Sequence, residues 1–253
     1  MANTVQGAVA VVTGGAGGIG SVICTKLAEA GMQVVVGYGR SGEAARKLAE
    51  SLPGTGHSAR PAPVTDSAAM KALAESVARD YGRCDVLVNC AGTTRFVPHS
   101  DLDGLDDELI NTILATNVRG AFASVRAFRP LLDKSPIPGG GVIVNLSSAA
   151  GNIGIGSNVI YCASKAALDN MTKSLARALA PRVRVVSVSP ALVDTEFVKS
   201  LDKEWHDQQG ARTPLGRLAT PEEVGAAVTA VVTTLTFSTG TILQVDGGRT
   251  LTP

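Results

Sequence analysis

Thr13-Gly14-Gly15-Ala16-Gly17-Gly18-Ile19-Gly20 is the stretch on which the fold of this chain turns. An apolar run, 8–12, leads into it. A segment of helical spacing, 19–30, leads out and stops at Gly31, a natural residue for the turn beyond a helix end. Strand, glycine turn and helix in that order let backbone approach a pyrophosphate. The helix start then offers free N–H groups and the positive end of its dipole. A tight strand-to-helix turn with no ligand would read the same locally, so the rest of the chain has to decide.

Working outward, short apolar runs alternate with helical stretches. Strands are expected at 34–36, 62–64, 85–89, 142–146, 183–188 and 241–245. Helices are expected at 43–51, 67–81, 105–129, 159–180 and 221–235, with Asp66 and Thr220 as N-caps and Pro130 as a breaker. This alternation predicts an α/β chain with a parallel sheet of about seven strands and helices on both faces. Residues 1–253 read as one domain, and the polar segment 192–215 is expected to be its mobile part.

The composition excludes several classes. Lys+Arg of 23 against Asp+Glu of 22 leaves a net charge of +1, too little for a broad nucleic-acid footprint. With 45% hydrophobic residues the chain is not disordered. No apolar run reaches membrane-spanning length, and the first twenty residues lack a signal-peptide pattern. Cys24, Cys84, Cys90 and Cys162 form no C-x-x-C pair, and His57, His99 and His206 have no metal-ligand spacing. A reducing, cytoplasmic setting, buried thiols and no metal are the expectations.

Three further segments carry more weight. Asn89-Cys90-Ala91-Gly92 closes the strand at 85–89, Tyr161-Cys162-Ala163-Ser164-Lys165 opens the helix at 159–180, and Ser148 stands thirteen residues before Tyr161. With the T-G-x-x-x-G-I-G loop, this ordered set resembles the short-chain dehydrogenase/reductase family, in its single-domain, 3-oxoacyl-(acyl-carrier-protein)-reductase-like branch. The resemblance runs from Ala8 to Gly248. It implies a Rossmann-type doubly wound fold and interconversion of a ketone and a secondary alcohol by hydride transfer. It also implies a homotetramer built on paired long helices.

The residue chemistry fits that implication. Reducing a carbonyl requires a proton donor, and a free phenol titrates near pH 10. Lys165, four residues after Tyr161, shares its helix face and would bring a cation that favours phenolate. By resemblance Lys165 also binds the nicotinamide ribose, Ser148 holds the substrate oxygen, and Asn117 positions a proton-relay water. Ser147 is the rival serine, and the competing role for Asn117 is a backbone hydrogen bond at a helix bend. Cofactor contacts are expected from Gly14, Gly18, Ile19, Gly20, Arg40, Ser41, Val64, Asn89, Ala91, Gly92, Tyr161, Lys165, Pro190, Val193 and Thr195.

Tyr38 stands where NAD-preferring relatives usually carry Asp, and Arg40 and Ser41 follow it. Arginine suits a phosphate, so NADP(H) is expected, with NAD(H) the second choice. Gly17 departs from the basic residue of many NADP-preferring relatives. Pro63 replaces a common Asp facing adenine, and Ala191 replaces the Gly of a Pro-Gly pair. Phe96, Ile153, Ile155, Val159, Leu192, Phe197 and Trp205 would wall a moderately apolar small-molecule carbonyl or alcohol. The competing reading is a reductase-shaped protein that holds a dinucleotide in a regulatory role without turnover.

Overall fold

A computed structural model describes residues 5–199 and 202–251. Strand β1 (Val9–Thr13) is buried along its whole length. Its side chains divide by the two-residue period of a strand. Ala10 and Val12 join the core on one face of the sheet, with Ile23, Leu27, Val224 and Val228. Val9 and Val11 join the core on the other, with Met70, Val77, Phe128 and Leu132. A strand that is apolar on both faces belongs inside a parallel sheet covered by helices.

The chain then runs α1 (Gly18–Glu29), β2 (Gln33–Tyr38), α2 (Gly42–Ser51), β3 (Ser58–Pro61), α3 (Ser67–Tyr81) and β4 (Val86–Asn89). After α4 (Asp107–Leu114) come a π-helical turn, Ala115–Gly120, α5 (Ala121–Leu132) and β5 (Gly141–Leu146). The remainder is α6 (Ala150–Ile153), α7 (Val159–Leu179), β6 (Val183–Pro190), α8 (Glu196–Lys199), α9 (Lys203–Ala211), α10 (Pro221–Thr233) and β7 (Ile242–Val245). All neighbouring strands pair parallel, in the order β3-β2-β1-β4-β5-β6-β7. The order reverses between β1 and β4. Their carboxyl ends therefore flank the crevice in which open α/β sheets bind ligands.

Three expectations about elements are corrected. The third strand is 58–61, not 62–64: Ser58 to Pro61 pair with Val35 to Tyr38, and Val64 lies beyond in a turn closed by Asp66 N to Pro63 O at 2.8 Å. The expected helix 105–129 is two α-helices with a π turn between them. Pro130 lies inside α5 and does not end it at once, since Leu131 and Leu132 still follow in the helix. The segment 192–215 contains α8 and α9. The expected caps stand. Asp66 accepts from Ala68 and Ala69 N–H, and Thr220 forms a reciprocal capping box with Glu223.

Register places Thr13, Asn89, Asn145 and Ser187 side by side across β1, β4, β5 and β6. This buried polar row crosses an otherwise Val-rich sheet. Asn89 Nδ2 donates to Asn145 Oδ1 at 2.9 Å, and Asn145 Nδ2 donates to Thr172 Oγ1 of α7 at 2.8 Å. Thr172 Oγ1 shares a 2.9 Å hydrogen bond with Ser187 Oγ.

Candidate active site

The glycine loop is shaped by close approach. Gly14 has φ +66°, and a Cβ there would lie 2.9 Å from Ala91 Cα. A Cβ at Gly20 would overlap the Gly14 carbonyl oxygen. Side chains at these positions would close the surface from which backbone N–H groups face a ligand. Thr13, the first residue of the loop motif and given no role of its own from sequence, joins the loop to the end of β4. Its Oγ1 accepts from Cys90 N and Ala91 N at 3.2 Å each. The Thr195 methyl lies 3.4 Å from the Cβ position of Gly18, so the segment after β6 meets the loop. Ala91 and Thr195 thus meet the loop at Gly14 and Gly18, and the glycine cradle fits a dinucleotide pyrophosphate.

Tyr161 and Lys165 sit in the first two turns of α7. Asn158 caps that helix, accepting from Tyr161 N at 2.7 Å while its Nδ2 donates to Arg95 O at 2.8 Å. One side chain therefore fixes the start of α7 and ties it to the loop after β4. The Ser148 hydroxyl faces the Tyr161 phenol and favours its ionised form, and Ser148 Oγ accepts from Ala150 N at 3.2 Å. Ser147 instead points inward, donating to Lys165 O at 3.3 Å. Of the two serines, Ser148 is the one at the phenol.

Lys165 is 7% exposed, and its Nζ donates to Leu146 O at 2.7 Å. Burial pulls its pKa down to about 8. The Nζ is 5.7 Å from the Tyr161 ring centre. Burial raises the phenol pKa, and the Ser148 hydroxyl facing it works against that rise. The expectation of a phenol already lowered by its lysine is therefore corrected, because desolvation of the phenol dominates.

Asn117 is buried in the π turn. Its Oδ1 accepts from Thr93 N at 2.8 Å, and its Nδ2 donates to Thr93 O at 3.1 Å and Ser164 Oγ at 3.1 Å. It bridges the loop after β4 to α7 and does not patch a bend in its own helix. Asn117 Oδ1 and Lys165 Nζ lie 3.5 and 3.8 Å from the Cβ position of Gly92, so Gly92 leaves both groups facing one space.

At the other end of the crevice, Arg40 and Ser41 precede α2 and are exposed. The Tyr38 ring covers Gly42, where a Cβ would lie 2.9 Å from the ring edge. Val64 is buried against Gly120 and contributes little exposed side chain to a ligand. Among the expected substrate walls, Phe96 and Ile155 are well exposed, Val159 and Trp205 marginally so, and Ile153 and Leu192 half-buried. The Phe197 side chain lies outside the described residues. Thr93 meets Asn117 through its backbone, and Thr94 and Ser164 meet Asn158 and Asn117 through their hydroxyls, contacts that only the fold creates.

A family model described as enoyl-(acyl carrier protein) reductase matches residues 14–250. A ketoacyl reductase of the granaticin polyketide synthase of Streptomyces violaceoruber is 39% identical over 96% of this chain and 96% of its own. A solved short-chain dehydrogenase/reductase from Burkholderia xenovorans superposes with a TM-score of 0.88 at 31% identity, covering 97% and 98% of the two chains. A 3-ketoacyl-(acyl-carrier-protein) reductase from Brucella melitensis, solved with NADH, gives 0.86 at 28% identity over 97% and 99%. With its ordered loop, serine, tyrosine and lysine, the chain belongs to the short-chain dehydrogenase/reductase family, oxidoreductases acting on carbonyl and CH–OH groups.

Proposed function

We propose that this chain interconverts a ketone and a secondary alcohol with NADP(H), Tyr161 acting as acid and base. The observation that carries the reading is the convergence of the Ser148 hydroxyl on the Tyr161 phenol, with Lys165 one helical turn on and its Nζ, like Asn117 Oδ1, facing the space left by Gly92. A bound nicotinamide supplies or accepts the hydride. The protein's own work is placement and proton transfer. Ser148 and Tyr161 hold the substrate oxygen between two hydroxyls, and Tyr161 Oη gives up its proton as negative charge builds there. Lys165 stabilises the phenolate that is left. Asn117 keeps the loop after β4 and the start of α7 in register.

Several residues support the cofactor assignment. Gly14, Gly18, Ile19 and Gly20 would hold the pyrophosphate, and Asn89, Ala91 and Gly92 the inner ribose region. Pro190, Val193 and Thr195 would hold the carboxamide, and Val64 the adenine. Arg40 and Ser41 would take a 2′-phosphate beside the start of α2. The NADH in the Brucella relative belongs to that protein, and the preference here rests on Tyr38, Arg40 and Ser41. The substrate class that fits best is a ketone with an apolar body, such as a 3-oxoacyl thioester, resting on Phe96 and Ile155.

The first test is a fluorescence titration with NADPH and NADH side by side, followed by a panel of 3-oxoacyl thioesters and cyclic ketones. Tighter NADPH binding with ketone-dependent oxidation supports the proposal. Tight binding without turnover across the panel favours a binding role, and binding of neither dinucleotide overturns it.

A further inference from the structure

Lys165 is a buried ammonium with one hydrogen-bond acceptor, the Leu146 carbonyl, among its described contacts. A buried cation needs an anion, or it sheds its proton. The ionisable acids facing this part of α7 are the Tyr161 phenol, the Cys90 thiol at the end of β4 and the Asp169 carboxylate. Burial raises the phenol, and pushes the thiol up to about 11, so both are neutral at pH 7. That leaves Asp169. It follows Lys165 by four residues as Lys165 follows Tyr161, so the three share one side of the helix. Its Oδ1 is buried and has no hydrogen-bond partner among the described residues. The Ser147 and Ser187 hydroxyls and the Lys173 ammonium also face the carboxylate. Both hydroxyls are already engaged, Ser147 with Lys165 O at 3.3 Å and Ser187 with Thr172 Oγ1 at 2.9 Å.

We propose that Asp169 is a positioning residue for the reaction, its carboxylate one helical turn behind Lys165 holding that buried side chain in its ammonium form. The inference rests on the reading of Lys165 as the cation that binds the cofactor ribose and supports Tyr161. Asp169 touches neither substrate nor cofactor. It acts on the reaction through the lysine alone.

The test measures affinity for whichever of NADPH or NADH binds more tightly, from pH 7 to 10. It uses the full-length chain with wild-type sequence, Lys165→Met, Asp169→Asn and Asp169→Glu. In the wild type, affinity falls as pH rises past about 8, where the lysine loses its proton. Lys165→Met lacks that fall. In Asp169→Asn the fall begins about half a pH unit or more lower, since removing the anion disfavours the ammonium. Asp169→Glu restores the wild-type position. Asp169→Ser is the second neutral variant if the amide does not fold, with thermal unfolding as the check. A fall at the same pH in a folded neutral variant overturns the proposal for Asp169 while leaving the lysine in place. A fall that survives in Lys165→Met, or is absent from the wild type, overturns the lysine reading and the inference with it.

Discussion

At the residue scale, the site depends on a few atoms that sequence order already brought together. Tyr161, Lys165 and Ser148 were legible because helix spacing and the end of a strand fix their relative places. The direction of the phenol's pKa was not legible, because it depends on how much of the ring the fold buries. Tyr161→Phe is expected to cut ketone reduction by about a hundred- to ten-thousand-fold while leaving dinucleotide affinity within a few-fold, checked by steady-state rates and fluorescence titration. Arg40→Asp is expected to reverse the dinucleotide preference. The same titration checks this, and unchanged NADPH affinity would sink the 2′-phosphate assignment. Gly20→Ala is expected to abolish binding of both dinucleotides, because its methyl would meet the Gly14 carbonyl oxygen.

At the element scale, strand and helix order followed from apolar runs and caps, but the exceptions depended on contacts between distant segments. Strand β3 forms at 58–61 because the register with β2 is set there, whatever the hydropathy of 62–64. Nothing in the spacing of 105–129 marks the π turn. It appears where Gly120 must let Val64 approach, a Cβ there lying 2.8 Å from Val64 Cγ2. The α10 start offers a pH test. Arg217 and the Thr220 backbone hold the Glu223 carboxyl down at about 2, against an ordinary value of 4.5. A carboxylate lowered on folding contributes stability that is present above its unfolded pKa and lost as pH falls towards its folded one. Wild-type stability is therefore expected to drop between about pH 4.5 and 2 by more than that of Glu223→Gln, as compared by denaturant unfolding at pH 6 and pH 3. The contribution is modest because both partners are exposed.

At the scale of the whole molecule, the layered α/β architecture was legible throughout, since buried parallel strands need no contact information to be read as Val-rich runs. What lay beyond reach was which loops meet: 93–95 with 157–158, and the glycine loop with Thr195. A bound dinucleotide would brace the same crevice. At a hundred times its dissociation constant NADPH is expected to stabilise the fold by about 2.7 kcal/mol, seen as a raised thermal midpoint. Light scattering is expected to give four times the 25.8 kDa chain mass, and a monomer would refute the tetramer implied by the family. The polar row of Thr13, Asn89, Asn145 and Ser187 has a consequence for assembly as well as for the site. Each member is preceded in its strand by a valine or, in β5 and β6, also followed by an apolar residue, so a one-residue slip of any strand sets an amide or hydroxyl against hydrocarbon and breaks its lateral bonds. The row works as an alignment mark, letting a sheet of nearly interchangeable valines recognise when its strands are in step.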